Sequence, residues 1–299
     1  MPDERAWAPA ARALAQPVQI GSVRLHNGVM TASGTAGYGT ELAGLLDHAA
    51  LGAFVTKSLA AFEWAGNPAP RLHPTTAGML NAVGLQGPGL AAWQRDVLPG
   101  LLGTGATVVV SIWGRTLDEY QQAAAMVAEC PAGVVAVEVN LSCPNLDGGA
   151  HLFAHDAGRS AAVVAAVSAA AGRPCWAKLS PNTDRLVAVA ASVRDAGAEA
   201  VTCVNTLLGL AYDQHTAAPA LGAGGGGLSG PAIHPVAVRA VRDVAVAVPG
   251  LPIIGVGGVR TAWDAAEMVL AGASAVQVGT ATLADPRAAA ILLGALHQA

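Results

Sequence analysis

The sequence predicts an α/β fold, specifically a (β/α)8 barrel of the TIM type, on three observations. Eight short apolar runs recur along the 299 residues, helical patterns separate them, and the runs are apolar throughout instead of alternating. Continuous apolarity means burial on both faces, the condition of parallel strands covered by helices. Eight such units in one chain suit a closed barrel, whereas a doubly wound open sheet rarely uses eight in succession.

The elements follow in order. The chain opens MPDERAWAPAARALAQP, with acids early and no continuous apolar stretch, so a secretory signal is not expected. VQIGSVRLHNG (18–28) reads as a short N-terminal β-hairpin. The barrel strands are expected at VMTAS (29–33), AFVTKS (53–58), TVVVSI (107–112), VVAVEVN (134–140), CWAKLS (175–180), AVTCVNT (200–206), PIIGVGG (252–258) and AVQVGTA (275–281). Helical patterns fall at ELAGLLDHAA (41–50), TLDEYQQAAAMVAE (116–129), GRSAAVVAAVSAAA (158–171), TDRLVAVAASVRDAG (183–197), HPVAVRAVRDVAVAV (234–248) and TAWDAAEMVLAG (261–272). Several open on Thr or Asp caps and close on Gly. Long connections at 59–86, at 144–156 and around LGAGGGGLSGP (221–231) would lie on the C-terminal face, where barrels build their sites.

Composition sets the bounds. With 53% hydrophobic and 12% charged residues the chain can bury one large core, and no linker divides it, so residues 1–299 are read as a single domain. A net charge of −4 gives no field for a phosphate backbone, which argues against nucleic acid as a partner. Mean hydropathy is +0.46, yet no run approaches the roughly 18 to 20 uninterrupted apolar residues of a membrane span; a cytoplasmic protein is expected. Cys130, Cys143, Cys175 and Cys203 form no CxxC pair, against a zinc site or disulfide framework. His48, His151 and His155 have no metal spacing and read as structural or solvated.

The strand ends carry the chemistry. They supply Ser33, Gly34, Lys57, Asn140 with Ser142 and Cys143, Lys178 with Ser180, Asn205 with Thr206, Gly257, Gly258, Gly279 and Thr280. Of 16 basic residues only Lys57 and Lys178 are lysines, and both end apolar strands. A chain that otherwise uses arginine needs a compact ammonium there, unless both merely reach to solvent. GVGGVRTAWD and VQVGTA, on the last two units, resemble a phosphate site: glycines allow close backbone approach and the following helix offers its N-terminus. The bland alternative is a pair of tight turns. Asn81, Asn140, Asn145 and Asn205 offer neutral donors and acceptors suited to a planar ligand with amide-like edges.

VEVNLSCPN, NAVGLQGPG (81–89), CVNTLLGL (203–210), GGLSGPAI (226–233) and PIIGVGGVRTAWDAAEMVLAGASAVQVGTA (252–281) together resemble class 1 dihydroorotate dehydrogenases, in order, over nearly the whole chain. NAVGLQ and NTLLG are more similar to the NAD-linked B subtype. The resemblance implies oxidation of dihydroorotate to orotate in pyrimidine biosynthesis, with Cys143 removing the C5 proton and hydride passing from C6 to FMN. It implies substrate contacts from Lys57, Asn81, Asn140, Asn145, Asn205 and Thr206. Flavin contacts would come from Ser33, Gly34, Lys57, Asn140 and Lys178, the last near the pyrimidine edge, with Gly230, Gly257, Gly258, Gly279 and Thr280 around the phosphate. It further implies an electron-transfer subunit carrying FAD and a 2Fe-2S cluster, and the apolar chain is expected to form a homodimer core. His234 and His215 stand where members often carry Lys, and Gly87 where they carry Asn. The competing readings are a dihydropyrimidine dehydrogenase-like flavin barrel acting on dihydrouracil-type substrates, a non-catalytic phosphate-ligand binder, and a Schiff-base enzyme using Lys178.

Overall fold

The computed structural model describes residues 5–142 and 153–299. Its core is the expected ring of eight parallel strands, numbered here along the chain: β1 Val29–Thr31, β2 Phe54–Val55, β3 Val108–Ile112, β4 Val134–Asn140, β5 Cys175–Leu179, β6 Ala200–Cys203, β7 Ile253–Val256 and β8 Ala275–Val278. From β2 onward each pairs in parallel with the next, and β8 returns to β1. Between β1 and β2 the ring closes through a parallel bridge from Met30 to Ala53 and a bond from Gly52 N–H to Val29 C=O of 2.9 Å. The hairpin Val18–Ile20 and Val23–Leu25 lies at the N-terminal end.

Side chains two apart on a strand share a face, which divides the barrel interior into layers. The lower layer is apolar: Met30, Val55, Val109, Ala136, Trp176, Ala200, Ile254 and Ala275 pack with Ile20, Val23 and Leu25 of the hairpin. Two residues further along β4, β5, β6 and β8 stand Glu138, Lys178, Thr202 and Gln277, all buried. The outward-facing set, among it Phe54, Val110, Val139, Leu179 and Val276, packs under the helices.

The helices form where their caps dictate. Thr116 accepts from Glu119 N–H ahead of Leu117–Ala128, Asp156 from Arg159 N–H ahead of Ala157–Ala170, and a Thr261/Asp264 capping box opens Ala262–Ala271. Leu186–Asp195 and His234–Ala247 are the other two expected helices. Residues 41–50 depart from expectation. They form turns and one 3-10 turn, His48–Ala50, because the Asp47 carboxylate binds Ala49 N–H and Gly44 interrupts the pattern.

The second departure is over the barrel mouth. The long connections after β2 and β6 fold together as a four-stranded antiparallel sheet, in the order Leu207–Gly209, Gly226–Ser229, Gly78–Asn81, Leu72–Thr75. Glycine is what makes this close packing feasible. A Cβ on Gly227 would collide with Thr206 Oγ1, and one on Gly226 with the Asn81 carbonyl. The stretch 221–231 thus combines glycine-rich composition with strand structure, which composition alone conceals.

Candidate active site

A cavity of about 520 Å³ opens at the C-terminal mouth beneath the four-stranded sheet. Ser33, Gly34, Lys57, Asn81, Asn140, Lys178, Asn205, Thr206, Gly230, Gly257, Gly258, Gly279 and Thr280 all line it. Every sequence-predicted site residue within the described part of the chain is therefore brought to one place. Cys143 and Asn145 lie outside the described residues.

Lys178 is 5% exposed and far from a solvent-reaching lysine. Its Nζ lies 3.6 Å from Glu138 Oε1 and 3.2 Å from Gln277 Oε1. Glu138 accepts from Thr202 Oγ1 at 2.9 Å and from Gln277 Nε2 at 2.7 Å through its other oxygen. The ammonium thus has a counter-charge fixed by two further hydrogen bonds, which leaves it poorly placed as a Schiff-base nucleophile.

Lys57 is set differently. Its Nζ contacts Tyr38 Oη at 3.2 Å and the Gln86 carbonyl, and lies 5.3 Å from the centre of the Tyr38 ring. Burial, then the nearby Arg71 guanidinium, lower its pKa to about 8. The two rare lysines thus occupy opposite electrostatic settings.

The asparagines are locked in place. Asn140 donates to Ser58 Oγ at 3.2 Å, and its Oδ1 accepts from Ser142 N–H at 3.1 Å and Asn205 Nδ2 at 3.3 Å. Ser58 in turn joins Ser111 at 2.9 Å and Ser33 at 3.2 Å, while Asn205 Oδ1 accepts from Thr206 N–H at 2.9 Å. Asn81 Nδ2 donates to the Gly227 carbonyl at 3.1 Å, tying the cavity to its roof. Asn182 donates to Ser180 Oγ at 3.1 Å and the Thr206 carbonyl at 2.9 Å.

The other end of the cavity is built of glycine. Gly230, Gly257 and Gly258 have φ of 93°, 132° and 71°, open only to glycine without strain. Thr280 Oγ1 donates to Ser229 Oγ at 2.8 Å. Beneath, His234 Nδ1 lies 2.7 Å from the Gly257 carbonyl and its Nε2 3.2 Å from Glu267 Oε2. Ahead of the helix Ala262–Ala271, Asp264 Oδ2 accepts from the N–H groups of Arg260 and Thr261. The backbone at Gly279 leads straight into the short helix Thr280–Ala284.

These features match a known group of proteins. The dihydroorotate dehydrogenase family model covers residues 16–297. The chain belongs to the dihydroorotate dehydrogenase family. It is 48% identical over 281 residues (94% of this chain, 91% of the relative) to the dihydroorotate dehydrogenase B (NAD(+)) catalytic subunit of Desulforudis audaxviator. It is 46% identical over 284 residues (95% and 93%) to the protein of the same name from Trichlorobacter lovleyi. The catalytic subunit of Geobacter sulfurreducens matches at 46% over 272 residues, 91% of this chain and 88% of the relative.

Sequence reading missed Ser58, Ser111, Glu138, Thr202, Asn182 and Gln277. Two carried a usable signal: Glu138 in VAVEV and Gln277 in AVQV are polar residues at inward positions of otherwise apolar strands. Cys175 and Cys203 are inert where the strand reading put them, their thiols pushed up to about 12 by burial. Among the described residues no cluster of His, Cys, Asp and Glu could hold a metal ion, and no helix is long and apolar enough to cross a membrane.

Proposed function

We propose that this chain oxidises dihydroorotate to orotate with FMN, as the catalytic subunit of an NAD-linked enzyme. The observation that carries the reading is the convergence of both lysines and Asn81, Asn140 and Asn205 on one cavity whose far end is a glycine cradle. One end offers polar groups for a small planar acid and the other a backbone surface for a phosphate.

The lining of the cavity supports FMN as the cofactor. A Cβ on Gly34 would meet nothing within 4 Å, so this backbone faces open space where a flat ring can lie. Gly230, Gly257, Gly258, Gly279 and Thr280 would hold the phosphate, with Ser33, Lys57, Asn140 and Lys178 along the ring system. When bound, FMN supplies the acceptor for the hydride from C6. Lys178, held by Glu138, would supply a fixed positive charge beside the flavin's pyrimidine edge. Asn140 and Asn205, bonded to each other, would present a pre-oriented edge to the substrate together with Asn81 and Thr206; the resemblance adds Asn145, which lies outside the described residues. Lys57 would face the substrate carboxylate. Cys143 would take the C5 proton on its thiolate as the C5–C6 double bond forms; the preceding Ser142 N–H is anchored on Asn140 Oδ1.

The whole chain, residues 1–299, would act as one FMN-binding barrel in the cytoplasm, paired as a homodimer. An electron-transfer subunit carrying FAD and a 2Fe-2S cluster would relay electrons to NAD. The test is an anaerobic absorbance spectrum of the purified protein before and after dihydroorotate. Bleaching of a yellow flavin supports the reading. Bleaching by dihydrouracil but not dihydroorotate would move the substrate, and failure to hold any flavin after addition of FMN would refute it.

A further inference from the structure

The loop after β1 carries a residue that the proposed chemistry has not used. Tyr38 is fixed from several sides: its N–H donates to Glu41 Oε1 at 2.8 Å, its carbonyl accepts from the fully buried Trp93 indole at 2.9 Å, and the neighbouring Gly37 carbonyl accepts from Lys57 N–H at 3.0 Å. Its hydroxyl donates to the Gln86 carbonyl and accepts from Lys57 Nζ at 3.2 Å. Gln86 is held in turn by Arg71, which donates to its Oε1 and to the carbonyls of Asn67 at 2.6 Å and Ala65 at 3.0 Å. Immediately beyond is Gly87, where a Cβ would come within 2.8 Å of Tyr38 Oη, 3.5 Å of Cζ and 3.7 Å of Cε1.

We propose that Tyr38 is a positioning residue for Lys57, and that glycine at position 87 is what leaves room for its hydroxyl to reach the ammonium. The hydroxyl oxygen accepts from the ammonium, which lies beyond it at 5.3 Å from the ring centre, so the Lys57 side chain is drawn to one point on the cavity wall. Any side chain at position 87 meets the hydroxyl first, while the ring carbon behind it stays at ordinary contact distance. The steric conflict is therefore specific to tyrosine and absent with phenylalanine.

The charged and titratable groups around Lys57 agree. Arg71 adds like charge, Glu41 acts on Tyr38, and burial followed by Glu41 raises the Tyr38 pKa to about 12, so the phenol stays neutral and can accept from the ammonium. Removing one of the two oxygens that receive the ammonium disfavours the charged form, and the Lys57 pKa should fall further.

The inference rests on the reading that Lys57 serves substrate and flavin, but its test need not. The chain has only two lysines, so protein labelled with ε-13C lysine gives two side-chain resonances, assigned with Lys57→Arg. In the FMN-loaded protein, Tyr38→Phe should lower the Lys57 midpoint by about one pH unit, the scale of one hydrogen bond to a charged group. Gly87→Ala should do the same, and adding Gly87→Ala to Tyr38→Phe should change nothing further. The alkaline limb of kcat/KM for dihydroorotate should move with the resonance. An unmoved midpoint in Tyr38→Phe, or shifts that add in the double variant, overturns the proposal. Loss of all dihydroorotate activity in the wild-type protein overturns the functional reading instead and leaves the titration to decide this one.

Discussion

Changing the buried pair Glu138 and Lys178 separates stability from function. Glu138 is fully buried and Lys178 nearly so, with 3.6 Å between Oε1 and Nζ. At an effective dielectric constant of about 20 that separation gives an attraction of about 4 to 5 kcal/mol, opposed by a desolvation cost of several kcal/mol per ion. The pair therefore contributes little net stability, but either charge left alone is expensive. Glu138→Gln keeps one oxygen to accept from Thr202 and Gln277, which places its cost near the lower end of the usual range, about 3 kcal/mol. Lys178→Met strands the carboxylate and should cost about as much.

The double variant Glu138→Gln/Lys178→Met removes both charges and retains the Thr202 and Gln277 bonds to position 138. It loses one donor to Gln277 Oε1, worth about 1 kcal/mol, and should lie within about 1 to 2 kcal/mol of wild type. The decisive comparison is the double variant against Lys178→Met, because both lack the ammonium and share any loss of flavin-linked stabilisation. Urea unfolding followed by far-UV circular dichroism at fixed FMN should show the double variant more stable by about 1 to 2 kcal/mol. Its turnover should nevertheless stay at least about a hundredfold below wild type, since the ammonium proposed to face the flavin is gone. If the second substitution fails to restore stability over Lys178→Met, the two charges are not coupled and the account of this layer is wrong.

Three further outcomes follow from the same geometry. Cys143→Ala should leave the flavin spectrum intact and slow anaerobic flavin reduction by dihydroorotate by about 10² to 10⁴, measured by stopped flow. Gly227→Ala drives a methyl into Thr206 Oγ1 and should cost about 1 to 3 kcal/mol in thermal unfolding, with KM for dihydroorotate raised and flavin content unchanged. His234→Ala removes the contacts to the Gly257 carbonyl and Glu267 beneath the glycine cradle, and FMN binding, followed by recovery of free-flavin fluorescence on dissociation, should weaken about tenfold.

The barrel was legible because the eight strands are apolar over most of both faces, the mark of parallel strands covered by helices, and because eight such units in succession suit a closed sheet better than an open one. The site was legible in its strand-end residues, since a barrel sends them to one mouth regardless of the order in which the chain supplies them. What escaped was non-local. Gly226 and Gly227 look like a flexible linker until Asn81 and Thr206, more than a hundred and about twenty residues away in sequence, are found against them. The turn at 41–50 escaped for the opposite, local reason, an Asp47 side chain competing for a backbone N–H that a helix would use.

The contrast between the two lysines bears on which ligand group each would receive. Lys178 already has a carboxylate at 3.6 Å, so an anion arriving there must share the ammonium with Glu138. The contacts of Lys57 are neutral oxygens of Tyr38 and Gln86, with Arg71 adding positive charge nearby. A full negative charge gains more at Lys57, where it displaces no counter-ion and restores the charged form that burial disfavours. A group that becomes negative only as the reaction proceeds gains more at Lys178, whose charge is held in advance whether or not ligand is present. This favours the substrate carboxylate at Lys57 and the electron-accepting edge of the flavin at Lys178. It also gives a reason for two lysines among fourteen arginines: each position takes a single compact ammonium against one or two oxygens, where a planar five-donor fork would leave N–H groups buried without acceptors.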